Sequence, residues 1–219
     1  MINDLKLGFK LMKHGLQFKT SIVAAVLFLI LGLSMELAEE VIAVVGSVYT
    51  MMGSVMIYQL VQSLTCAGLV QTSPQKKRLQ TSVAAIYAFI CTVILNTIVI
   101  CVKLWMARYT HTPMTEVASD ILINGILTVV VLLYMGTAMK AFWLATVVFI
   151  TVCGIGGFGI GLGLGVGWFA NLNISIGAAI VISYLAAAIG CFLMYLISLV
   201  FYKKDYSKTT FDSALKRVK

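Results

Sequence analysis

Long apolar runs alternate with short polar breaks along this chain. The runs cover about 19–37, 41–68, 81–105, 120–139, 141–168 and 174–201. About 20 apolar residues in a helix cross a hydrocarbon core about 30 Å thick, so each run predicts one membrane span. Residues 1–18 follow a different pattern. Ile2, Leu5, Phe9, Met12 and Leu16 recur at spacings of three and four, with Lys6, Lys10 and Lys13 on the other side. That pattern predicts an amphipathic helix lying in the membrane interface. The expected fold class is therefore an all-α membrane protein with six transmembrane helices, an N-terminal amphipathic interfacial helix and a basic tail at 202–219.

Composition sharpens this picture. The 219 residues are 61% hydrophobic and 11% charged, against about 45–50% and about 25% in a soluble domain. No length remains for a soluble catalytic domain. The net charge of +8 would raise nucleic-acid binding in a soluble protein. Here the cations fall in loops and tails, so topology accounts for them and no nucleic-acid partner is expected. With six spans, all but two of the 16 Lys and Arg residues lie on one side, leaving Lys103 and Arg108 on the other. The positive-inside rule then places both termini in the cytoplasm of a multi-pass protein of the cell membrane. Lys6 to Lys19 precede an apolar run, but that run is too long for a signal peptide and no small-residue cleavage site follows it.

The most charged interior break is 71–80. It contains Ser73, Pro74, Gln75, Lys76, Lys77, Arg78 and Leu79. Three consecutive cations are excluded from hydrocarbon at about 2.5–3.5 kcal/mol each, so this stretch is an aqueous cytoplasmic loop. We expect it to serve as a handle for a soluble partner. Lys103 lies near the end of its span and is expected to snorkel to the headgroups, with Trp105 beside it as an interfacial anchor.

Other candidate chemistry is sparse. Gly157, Gly161 and Gly165 lie four apart in the fifth span, as do Gly159, Gly163 and Gly167. Such rows permit close helix packing; the alternative is a bent outer end that lines or gates a pathway. They form no nucleotide loop, because no Lys-Ser or Lys-Thr closes the run. Glu36, Glu39 and Glu40 form an outer acidic cluster, expected as a solvated turn or as an attractor for cationic cargo. No carboxylate is expected at mid-membrane, which argues against a proton- or sodium-driven carrier. His14 and His111 fall on opposite sides, so no metal site is expected. The five cysteines, Cys66, Cys91, Cys101, Cys153 and Cys191, lie in apolar runs as buried, inert thiols. Asn96, Asn124, Gln59 and Gln62 are expected to bond between helices or to line a pathway. No residue set suggests catalysis, so the chain is not expected to be an enzyme.

The interfacial start, the six spans and the stretch Thr72-Ser73-Pro74-Gln75-Lys76-Lys77-Arg78-Leu79 resemble the ABC-2 type permeases, membrane subunits of bacterial ATP-binding-cassette exporters. That resemblance implies a coupling segment at Ser73–Leu79 that docks on a separate cytoplasmic ATPase. ATP and magnesium would be bound there, with no cofactor in this chain. It also implies a second permease copy or paralogue, and an amphiphilic cargo such as a peptide, antimicrobial or lipid-like compound. The alternatives are a non-transport membrane subunit (immunity, sensor or assembly) and a gradient-coupled carrier or channel.

Overall fold

A computed structural model describes residues 2–14, 18–38, 44–65, 74–111, 113–138, 140–161 and 174–203. The described residues are almost all helical and contain no strand. Among the described residues the α-helices follow in order: α1 (Ile2–His14), α2 (Phe18–Ala38), α3 (Val44–Thr65), α4, α5 (Met114–Ala138), α6 (Phe142–Gly161) and α7 (Ile176–Val200). Helix α4 begins as Lys76–Arg78, passes through a π-helical turn at Leu79–Val83 and continues as Ala84–Thr110. Among the described residues, four stretches are long and apolar enough to cross a membrane: Phe18–Leu37, Lys76–Tyr109, Met114–Ala138 and Ile176–Lys203. A shorter apolar helical stretch is Phe142–Val152.

Local chemistry sets the helix limits. His111 adopts φ 53° and stops α4; histidine is among the residues enriched in this left-handed region. Pro113 has no amide hydrogen to satisfy, and its carbonyl accepts from the Glu116 and Val117 amides at the start of α5. Ser175 caps α7, its hydroxyl accepting from the Ala178 amide at 3.3 Å.

The core lies among α3, α4, α5 and α7. The most extensive packing is between α5 and α7 and between α2 and α3, and α3 also contacts α4 and α5. Helix α3 is less apolar than α2, α5, α6 and α7, and its position explains why. Ser47, Thr50 and Ser54 are buried along one face, where partners inside the bundle replace water. Conversely, α2, α6 and α7 expose Val26, Ile30, Trp143, Val147, Leu185 and Phe192 on their outer faces, as helices surrounded by hydrocarbon do. Small residues bring the axes together. A Cβ built on Gly32 would lie 2.7 Å from the carbonyl oxygen of Gly46, so α2 and α3 touch backbone to backbone.

Three sequence expectations need correction. Lys76, Lys77 and Arg78, expected in a loop, form the first turn of α4. Lys103 does not snorkel, because it is 6% exposed inside the bundle. Not every thiol is buried, since Cys101 is exposed and Cys91 is half-buried, with Cys191 buried. Glu39, Glu40, Cys66, Ser73, Gly163, Gly165, Gly167 and the tail beyond Lys203 lie outside the described residues.

Candidate functional site

Two polar constellations stand at opposite ends of α4. The first is the predicted handle. Lys77 and Arg78 are exposed, Gln75 and Lys76 half-buried and Pro74 exposed. Leu79 is buried with Val83 against Leu5, Leu11 and Tyr87, so it is part of the packing and is not offered to a partner. Two contacts tie this end of α4 to α1. Arg78 lies 3.6 Å from the Asp4 carboxylate, and the Tyr87 hydroxyl donates to the Leu5 carbonyl at 2.8 Å. The amphipathic helix is therefore attached to the handle, as its apolar stripe requires. A cleft of about 610 Å³ opens here, lined by Asp4, Lys77, Arg78, Thr81, Tyr195 and Leu199. The π-helical turn carries Leu79, Gln80, Thr81 and Val83 inward, and such turns often mark functional places in a helix.

The second constellation lies roughly 38 Å away along α4, at 1.5 Å per residue. Lys103 donates to Glu36 Oε2 at 2.8 Å and also to Asp120 Oδ2. Ser47 donates to Glu36 Oε1 at 2.5 Å. Four helices meet at this point: α2 brings Glu36, α3 Ser47, α4 Lys103 and α5 Asp120. Glu36 is 2% and Asp120 8% exposed, so the expectation of a solvated acidic turn fails for Glu36. The cause is the Gly32–Gly46 crossing, which brings the end of α2 against the start of α3 and turns the Glu36 side chain inward.

One turn deeper, Asn124 Nδ2 donates to Asn96 Oδ1 at 2.9 Å, and Asn96 Nδ2 donates to Ser183 Oγ at 3.2 Å. These bonds join α5, α4 and α7, as expected for intramembrane asparagines. Gln59 is half-buried, and the side chain of Gln62 lies outside the described residues. Gly157, Gly159 and Gly161 continue α6 as helix. Among the described residues no cluster of His, Cys, Asp or Glu has the makings of a metal site.

The sequence carried a signal for this interior seam that the span-by-span reading did not use. Asp120, Asn124 and Thr128 are spaced four apart, Thr92 and Asn96 likewise with Lys103 seven further on, and Ser47, Thr50 and Ser54 three and four apart. Each set is one face of a helix, and all nine residues are buried. Polar faces at helical spacing inside apolar runs point at one another.

No family model, no curated protein and no solved structure matches this chain. The reading of its function therefore rests on its own residues.

Proposed function

We propose that this chain is the membrane-spanning permease subunit of an ABC-2 type exporter in a bacterial cell membrane. In this reading α2 to α7 are six spans, with both termini and the Lys76-Lys77-Arg78 handle in the cytoplasm. The observation that carries it is the handle's attachment. The exposed Lys77 and Arg78 sit on the first turn of α4, and α4 runs on through its π-helical turn to the buried Lys103. A force applied at the handle by a soluble ATPase would pass along α4 into the bundle, with α1 moving alongside through Asp4 and Tyr87. Two permease copies, or this chain and a paralogue, would enclose the path of an amphiphilic cargo, and the ATPases would bind the ATP and magnesium.

A second reading is favoured by a different observation. Glu36, Lys103 and Asp120 are ionisable groups buried between spans, and such groups commonly mark ion or proton pathways. A gradient-coupled carrier would use them directly.

Pull-down of the native chain in mild detergent distinguishes the two. Co-purification of an ATPase, lost when Lys76, Lys77 and Arg78 are replaced by alanine, is the expected result. Transport that follows a pH or sodium gradient with no ATPase present selects the carrier.

A further inference from the structure

The junction of α2, α3, α4 and α5 buries more acid than base. Glu36 and Asp120 share the single ammonium of Lys103, and all three are buried. Helix α3 packs against the other three and brings Ser47 but has no charged residue of its own. Arg108, the next cation on α4, is exposed, and Glu116, one turn before Asp120, is half-buried and adds no positive charge. With all three groups ionised the cluster carries, among the described residues, one uncompensated negative charge. Burying a net charge is strongly unfavourable, and a cluster held in a bundle surrounded by apolar surface is stable when neutral.

An independent observation lies beside it. Asn124 Oδ1 is buried and has no hydrogen-bond partner among the described residues. Buried polar atoms are seldom left so. Asn124 follows Asp120 by one turn of α5, so it belongs to the seam that continues inward from the charged cluster. Charge and oxygen lining thus point to the same kind of occupant. We propose that the seam of Glu36, Asp120 and Asn124 binds one monovalent cation that neutralises the cluster. The cation is either a proton held on a carboxylate or an alkali ion held by carboxylate, amide and hydroxyl oxygens. A divalent ion is disfavoured by the same count, since it would leave one positive charge. Lys103 is the fixed counter-ion that holds the two carboxylates in place. This site does not depend on an ATPase, so it stands or falls separately from the exporter reading.

The test uses the full chain in lipid nanodiscs, alone, with thermal unfolding as the readout. One arm titrates sodium, lithium or potassium against choline at fixed pH and ionic strength. The other lowers the pH from about 8 to about 6 in choline, because a ligand bound by the folded state raises its stability by linkage. A midpoint that rises and saturates with an alkali ion identifies that ion; a midpoint that rises only with acidification identifies the proton. In either case Asp120→Asn, which leaves a neutral Glu36–Lys103 pair, is expected to remove the dependence. Glu36→Gln, an isosteric change on another helix, reads the same point where Asp120→Asn does not fold. A wild-type midpoint indifferent to both cation and pH overturns the proposal, as does either variant retaining the full wild-type dependence.

Discussion

Lys103 Nζ lies 2.8 Å from Glu36 Oε2, although 67 positions separate the two residues. The contact joins the end of α2 to the far part of α4, and Asp120 extends it to α5. Removing one member of a buried ion pair leaves its partner charged and unsolvated, at about 3–5 kcal/mol, whereas replacing the whole set by apolar groups of similar volume is often neutral. Lys103→Met is therefore expected to destabilise the chain severely. The triple change Glu36→Leu, Lys103→Met, Asp120→Leu should recover much of that loss. Thermal unfolding in detergent, followed by size-exclusion chromatography, checks the order.

The α2–α3 crossing offers a second test. A Cβ at Gly46 would lie 2.7 Å from both the Gly32 carbonyl oxygen and Glu36 Cγ. Backbone cannot withdraw from such a contact as a flexible side chain can, so Gly46→Ala is expected to cost about 1–3 kcal/mol through overpacking. Gly177, on α7, has nothing within 4 Å of an added Cβ. There Gly177→Ala should be neutral or stabilising by up to about 1 kcal/mol, since alanine is the better helix former. Melting temperatures of the two variants, compared with the parent, decide whether the crossing is as close as described.

Hydropathy and period made the helices legible because both are properties of single segments. The apolar runs became α2 to α7, and the three- and four-residue spacing of Leu5, Phe9 and Met12 became α1. What stayed hidden depends on how segments face one another. Lys103 reads as a snorkelling residue when only its distance from the span end is considered. Its burial depends on Glu36 and Asp120 arriving from other helices, and on Gly32 and Gly46 allowing α2 to approach. Leu79 likewise reads as part of an exposed motif, and only the docking of α1 shows it as core. Of the handle cations, Lys77 and Arg78 were legible as exposed, because neither has a buried carboxylate cluster to enter as Lys103 does, while Lys76 is half-buried.

The asparagine pair tests the deeper part of the seam. Asn96 is fully buried and bonded to both Asn124 and Ser183. Asn96→Leu leaves the Asn124 amide without its acceptor, and an orphaned buried group costs about 1–3 kcal/mol. The double variant Asn96→Leu, Asn124→Leu removes both partners and should cost less than the sum of the single changes. A double-mutant cycle on thermal stability measures this coupling.

The exposed ion pair near the other end of α4 should separate stability from assembly. The Arg78 side chain is 71% exposed while its Asp4 partner is 11% exposed, and surface pairs contribute about 0–1 kcal/mol. Arg78→Ala is thus expected to leave the melting temperature nearly unchanged. Tyr87→Phe removes the bond to the Leu5 carbonyl and should cost about 0.5–1.5 kcal/mol, because it loosens α1 from α4. If Lys77 and Arg78 grip an ATPase, Arg78→Ala will weaken co-purification far more than Tyr87→Phe does, despite its smaller effect on stability. Equal retention of the ATPase by both variants would instead assign these cations to headgroup contact alone.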